Sequence, residues 1–288
     1  MSHAIPHETT LAIDIGGTKI LGALVSGRDI KSAFGFPTPQ DDNPGEWLKT
    51  LFDHAPGWRG KYNRVGAAVT GVVEGGRWSA LNPKTLSIPS QFPLEATLAD
   101  LARAPATALN DAQAAAWGEY CFGAGRGTQN CVFLTISTGI GGGVVLGGKV
   151  LTGLAGHFGQ WRLDIGDPLP IESRVAGRWM AETAIERGHR ADAKGVFEAA
   201  ANGKSWAIEI TTVSAHRIAS LCTNIQLGLD PDVIVIGGSI GLASGFIEQI
   251  ETNFSNVPQR QRPKLVAAQL GGEAGIVGIA QFATSLNT

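Results

Sequence analysis

Two stretches of this chain follow one plan. AIDIGGTKILGALV, beginning at Ala12, and TISTGIGGGVVLGG, beginning at Thr135, each run from an apolar strand through a polar residue and a glycine turn into a second apolar strand. A repeated strand hairpin constrains the fold strongly, because it implies that a structural unit has been duplicated, giving two related lobes facing one ligand. The remaining pattern alternates strands with helices. Helical periodicity marks 44–54 and 94–104, and RVGAAVTG from Arg64 and ATAL from Ala106 are apolar strands. An alanine-rich helix follows Asn110 and Asp111. After the GAGRGT break at 123–128, helices are predicted near 173–187, 192–201 and 204–227, then strand DVIVIGG, a helix to about 255, strand KLVAAQL and a closing helix from about 272.

The composition narrows the function classes. Hydrophobic residues make up 43% of 288, enough for one large or two moderate cores. The 23 basic and 25 acidic side chains are dispersed, and no run of Lys and Arg could track a phosphate backbone, so neither nucleic acid nor an anionic membrane is an expected partner. With no signal-like N-terminal segment and no long apolar run, the expected compartment is the cytoplasm. Cys121, Cys131 and Cys222 are widely spaced in apolar contexts and read as buried free thiols.

Several segments carry chemistry. In AIDIGGTK, Asp14 ends a buried strand, and Gly16, Gly17, Thr18 and Lys19 form a turn whose amides could approach an anion. A carboxylate there would repel phosphate unless Mg²⁺ or its water shell lay between them; the alternative is a tight hairpin with a turn aspartate. In STGIGGG, Ser137, Thr138 and Gly139 offer a second amide and hydroxyl cradle. VIVIGGSIG delivers Gly237, Gly238 and Ser239 to a helix start, where a base or ribose could lie flat on backbone, or where a serine simply caps a helix. Asp111 sits at a helix N-terminus that favours its ionised form, beside Asn110; the same pair is what an ordinary helix cap looks like.

Taken in order and with their intervals, DIGGTK, NDAQAAA, STGIGGG, GLAGH and GGSIG resemble the ROK kinases over nearly the whole chain. The resemblance implies an α/β protein with the actin-like, hexokinase-like (ribonuclease H-like) ATPase fold. Its small lobe would span 1–109, with the closing helix of 272–288 packing on it, and its large lobe 110–271. Closure of the lobes would exclude water, which competes with the sugar as acceptor. The resemblance makes Asp111 the general base that takes a proton from a sugar 6-hydroxyl as it attacks the γ-phosphate of ATP. Asp14, Gly16, Gly17, Thr18, Lys19, Thr138 and Gly139 would hold phosphate with Mg²⁺, and Gly238 would lie near the adenosine. Gly71, Asn82, Asn110, His157 and Glu172 would contact the sugar. TTLAIDIGGTK, ALNP, NDAQAAAWGE and LTGLAGH look most like the family's bacterial N-acetylmannosamine kinases, implying a 6-phosphate product in sialic acid breakdown; a glucokinase or other hexose kinase is the nearest alternative, and a sugar-sensing regulator a non-enzymatic one. Leu154 stands where glucose-type members tend to carry glutamate. About a dozen residues precede Asp14, too few for the helix-turn-helix of the family's repressors. A homodimer is the implied assembly.

One departure from the family is plain. Typical members follow the Gly-His pair with a Cys-x-Cys-Gly-x-x-Gly-Cys segment that binds structural zinc with the histidine; here the loop holds no cysteine, so zinc is expected to be absent. His157 and Glu172 are expected to remain as sugar ligands, with packing by Trp161, Leu163, Ile165 and Pro168 shaping the loop.

Overall fold

The computed structural model describes residues 8–81, 86–162, 166 and 168–286. Along the chain run β1 (Thr9–Ile15), β2 (Lys19–Ser26), β3 (Asp29–Pro37), α1 (Pro44–His54), β4 (Arg64–Val69), β5 (Val72–Glu74), β6 (Arg77–Ser79), α2 (Leu94–Ala102), β7 (Ala106–Asn110) and α3 (Asp111–Phe122). Then come β8 (Cys131–Ile136), β9 (Ile140–Leu146), β10 (Lys149–Val150), α4 (Gly177–Glu186), α5 (Ala193–Ala201), α6 (Ser205–Leu229), β11 (Val233–Gly237), α7 (Gly238–Gly241), α8 (Phe246–Glu251), β12 (Leu265–Ala267) and α9 (Ala274–Ser285). The elements form two compact units, one of Met1–Phe122, Leu151–Leu154 and Gly272–Thr288, the other of Gly123–Val150 and Ala155–Gly271.

Each unit is built on a five-stranded sheet, in the orders β3-β2-β1-β4-β7 and β10-β9-β8-β11-β12. The hairpin repeat has become a repeat of topology. In both sheets the glycine-turn hairpin gains a third antiparallel strand on one side and two parallel strands on the other.

In the first unit, strand alternation decides what lies on each face of the sheet. Leu11, Ile13 and Ile15 of β1 and Val65, Ala67 and Val69 of β4 pack into one cluster with Trp47, Leu48, Leu51 and Phe52 of α1 and Leu94 and Leu98 of α2. Intervening positions are small. A Cβ on Gly66 would meet the Ile279 carbonyl oxygen of α9 at 2.7 Å. Asp14 shares the parity of Ala12, so its side chain leaves the sheet on the α9 side; a Cβ on Gly275 of α9 would lie 3.8 Å from Asp14 Oδ2.

Helices α3 and α9 cross at backbone contact because glycine stands at both crossing points. A Cβ on Gly118 would lie 2.5 Å from the Ala274 carbonyl oxygen, and one on Gly278 would overlap that of Ala114. This packing groups α3 with the first unit, so the compact units divide after Phe122, whereas the family pattern suggests a boundary before Asn110. The consequence for chemistry is that Asp14, at the end of β1, and Asp111, at the start of α3, belong to one compact unit.

The core of the second unit is formed by β8, β11 and the buried side of α6, including Ile210, Ile218, Leu221, Cys222 and Ile225. Three expected elements differ. The helix expected near 173 starts at Gly177, because Ile171–Arg174 is a 3-10 turn and Val175 leaves helical geometry at φ −143°, ψ −26°. The helix expected to reach 255 is broken into α7, α8 and a 3-10 turn at Thr252–Phe254, with Gly245 between the first two at φ +77°. Strand β12 is confined to Leu265–Ala267.

Candidate active site

The candidate residues fall into two groups, one in each unit. In the first unit the chain leaves β7 at Asn110 and enters α3 without a loop. Asn110 is the cap. Its Oδ1 accepts from the amides of Ala112 at 2.9 Å and Gln113 at 3.3 Å, and its Nδ2 donates to the Gly71 carbonyl at 2.9 Å. Asn110 caps both first-turn amides and shares that of Ala112 with the next residue, Asp111. One Asp111 oxygen, Oδ1, accepts from the Ala112 amide at 2.8 Å, and the other, Oδ2, accepts from the Thr70 hydroxyl at 2.9 Å.

Asp14 carries the strongest electrostatic signal of the group. Burial, reinforced by the negative charge of Asp111 and partly offset by Lys19, pushes its carboxyl from 3.8 up to about 7. Two carboxylates in one partly dry layer make a place where a cation is favoured, since positive charge relieves both desolvation and mutual repulsion. The adjoining turn is tied down by Thr38, whose hydroxyl donates to the Gly16 carbonyl at 2.7 Å and whose amide donates to the Thr18 carbonyl at 3.0 Å. Lys19 and Thr18 are exposed, and Gly16 and Gly17 half-buried. A Cβ on Gly16 would meet nothing closer than the Lys19 carbonyl oxygen at 3.5 Å, an ordinary contact, so the fold by itself does not demand glycine there. The Gly16 amide itself closes the turn by donating to the Lys19 carbonyl at 3.0 Å, so any amide offered to an anion comes from the residues that follow it.

In the second unit, the Ser137–Thr138–Gly139 turn is held from two directions. The Gly177 and Arg178 amides, at the start of α4, donate to the Ser137 and Thr138 carbonyls at 2.7 and 3.3 Å. Glu172 accepts from the Ile140 amide at 3.2 Å through Oε2 and from Gln160 Nε2 at 2.8 Å through Oε1. A Cβ on Gly139 would lie 2.8 Å from that same Oε2. The residue expected to touch the sugar is thus also a latch on the second glycine turn. Gly238 starts α7 at φ +84°, and any Cβ there would overlap the Ile136 carbonyl oxygen, so its conformation and its surroundings both require glycine.

His157 lies in the loop packed on β9. Both of its ring nitrogens are buried with no hydrogen-bond partner among the described residues. Such a group costs about 1–3 kcal/mol until something bonds it, which makes it a ligand-seeking side chain. No three His, Cys, Asp or Glu side chains come together as a metal set among the described residues. The expected packing of this loop needs correction. Trp161 is 42% exposed and Pro168 is exposed, while Leu163 and Ile165 lie outside the described residues, as does Asn82. The loop is anchored instead by Phe158, 2% exposed, against which Trp161 stands edge-on at 5.2 Å, and by Ile171, also 2% exposed. Phe158 wins because its ring points inward from a 3-10 turn that the glycines on either side make possible.

Sequence alone did not single out Thr70, Gln160 or Phe158. Thr70 meets Asp111 from 41 residues away and Gln160 meets Glu172 across a loop, so no local spacing records these bonds. Of the three thiols expected to be buried, Cys131 and Cys222 are, whereas Cys121 is only half-buried; burial pushes the Cys121 and Cys222 thiols up to about 12. No helix among the described residues is long and apolar enough to cross a membrane.

The ROK family pattern matches residues 10–285. A bifunctional enzyme NanE/NanK of Brucella melitensis biotype 1 is 43% identical over 290 residues, covering 99% of this chain and 55% of the relative; the chain therefore spans about half of that relative's length. An N-acetylmannosamine kinase of Escherichia coli O157:H7 is 40% identical over 287 residues, covering 96% of this chain and 98% of the relative. Among solved structures, a ROK family glucokinase of Streptomyces griseus in complex with glucose and AMPPNP superimposes with a TM-score of 0.78 at 27% identity, covering 96% of this chain and 99% of that one.

Proposed function

Because the chain belongs to the ROK family, we propose that it is an ATP-dependent sugar kinase that phosphorylates the 6-hydroxyl of N-acetyl-D-mannosamine, in the breakdown of sialic acid. The observation that carries the reading is Asp111. It stands at a helix N-terminus with one oxygen on the Ala112 amide, which it shares with Asn110, and the other on the Thr70 hydroxyl. A carboxylate fixed in that way is suited to accept a proton.

Asp111 takes the proton of the sugar 6-hydroxyl as O6 attacks the γ-phosphorus; the O6–P bond forms, the bond from the γ-phosphorus to the bridging oxygen breaks, and ADP departs. Transfer of this kind depends on positioning and on neutralising charge, with little covalent work for the protein. Gly17, Thr18 and Lys19 supply amides, a hydroxyl and a cation to phosphate in the first unit, with Gly16 closing the turn that presents them, and Thr138 and Gly139 supply a hydroxyl and amides in the second. Gly238 gives the adenosine a flat backbone surface. Asn110, Gly71, Asn82, His157 and Glu172 hold sugar hydroxyls, and the His157 nitrogens, buried without a partner among the described residues, support that role for this residue. Mg²⁺ accompanying ATP would neutralise phosphate charge. The Asp14 carboxyl, raised to about 7, is the group that fits beside it. The same reading implies a cytoplasmic homodimer.

The test is a coupled ADP-release assay over N-acetylmannosamine, N-acetylglucosamine, mannose and glucose. N-acetylmannosamine is expected to give the highest kcat/KM. Faster turnover of glucose would overturn the specificity while leaving a hexose kinase, and no turnover of any sugar would overturn the enzyme reading.

A further inference from the structure

We propose that Thr70 is the positioning residue of Asp111, setting the orientation of the carboxylate that removes the sugar proton. The proposal rests on the reading of Asp111 as the base.

Thr70 follows the last residue of β4 and is fastened by its backbone in two directions. Its amide donates to the Ile15 carbonyl at 3.1 Å, and its carbonyl accepts from Trp78 Nε1 at 2.9 Å. Trp78 is itself immobile: it is fully buried, its backbone pairs with Phe92 at 2.8 and 2.9 Å, and its ring stands edge-on to Phe92. The next residue, Gly71, is tied through its carbonyl to Asn110, the residue before Asp111. The segment that carries the Thr70 hydroxyl is therefore referenced to the same strand end that launches α3.

The direction of the bond between the two side chains follows from chemistry. An ionised carboxylate only accepts, so the Thr70 hydroxyl donates to Oδ2. With Oδ1 held by the Ala112 amide, the two donors fix the rotation of the carboxylate about its last torsion, which is otherwise soft. Thr70 also makes the base weaker by donating to its charged form. The gain in alignment exceeds that loss, because proton transfer falls off steeply once the acceptor leaves hydrogen-bonding reach of the attacking hydroxyl.

The experiment compares Thr70→Val, Thr70→Ala and Thr70→Ser in full-length protein, with N-acetylmannosamine and ATP varied separately. Val and Ala are expected to lower kcat on the order of 10- to 100-fold, the scale of one hydrogen bond to a charged group, with sugar KM within about twofold. Ser restores the hydroxyl and is expected to stay within about threefold of the parent. In an Asp111→Asn background, Thr70→Val is expected to add no further loss, since there is no carboxylate left to orient. Parent-like kcat in both Val and Ala, a Ser variant as impaired as Val, a rise in sugar KM at unchanged kcat, or a further loss in the Asp111→Asn background would each overturn the proposal. Parent-like turnover by Asp111→Asn alone would instead overturn the assignment of the base, which separates the two failures.

Discussion

Asp14→Asn should make the ligand-free protein more stable, and by an amount that depends on pH. The Asp14 carboxyl is raised from 3.8 to about 7 in the folded chain, first by burial and then by the charge of Asp111. The folded state therefore holds this proton more tightly than the unfolded chain does. Below the unfolded value both states are protonated and the site costs nothing; as pH climbs toward 7 the unfolded chain ionises and the folded one resists, so stability is lost across that window. A rise of about three pH units, at 1.36 kcal/mol per unit, sets the full penalty at about 4 kcal/mol by pH 8, of which only about 1.5 kcal/mol is present at pH 5. Asparagine cannot ionise and escapes the pH-dependent part. The assay is urea unfolding of parent and variant at pH 5 and pH 8, without nucleotide or Mg²⁺. The stability advantage of the variant should be about 2–3 kcal/mol larger at pH 8. An equal advantage at both pH values, or one larger at pH 5, would refute the electrostatic reasoning. The variant is expected to be a poor enzyme, because the strained charge is the one placed for the phosphate and its cation.

Three further outcomes follow from packing and hydrogen bonding. Gly278→Ala should destabilise by about 2–3 kcal/mol or more, since its Cβ would overlap the Ala114 carbonyl and force α9 off α3, whereas Gly228→Ala in α6, with nothing within 4 Å, should be neutral or stabilising in the same thermal melts. Glu172→Ala should raise KM for ATP as well as for the sugar in initial-rate measurements, because the carboxylate holds the Ile140 amide beside the second glycine turn; a change in the sugar KM alone would reduce it to a sugar ligand. Phe158→Ala should cost about 3–5 kcal/mol and speed hydrogen exchange in 156–161, while Trp161→Ala, at a position 42% exposed, should do little.

What could be read in the sequence was what local pattern records. The two glycine-turn hairpins were visible because alternation and turn chemistry lie within a few residues of each other, and their repetition reappears as two sheets of one topology. Asn110 and Asp111 were visible as a pair, although only the hydrogen bonds show that Asn110 spans two first-turn amides while Asp111 also reaches the Thr70 hydroxyl. The broken helix after β11 was not legible, since the left-handed turn at Gly245 in GLASGF looks like any tolerated helix glycine. Nor was the latch from Glu172 to Ile140, or the bond from Thr70 to Asp111, because each joins segments that only the folded sheets bring together. The anchor of the cysteine-free loop was misjudged for a similar reason: apolar character named Trp161 and Pro168, but the neighbouring glycines turn Phe158 inward instead.

The central claim is that Asp111 removes the 6-hydroxyl proton of N-acetylmannosamine during transfer from ATP. Its most direct test follows the product by ³¹P NMR for the parent and for Asp111→Asn, with sugar binding measured in parallel. The expected result is one 6-phosphate formed per ATP consumed by the parent, and a variant that still binds the sugar but turns over roughly 10²- to 10⁴-fold more slowly. Formation of the 6-phosphate by Asp111→Asn at the parent's rate would contradict the account.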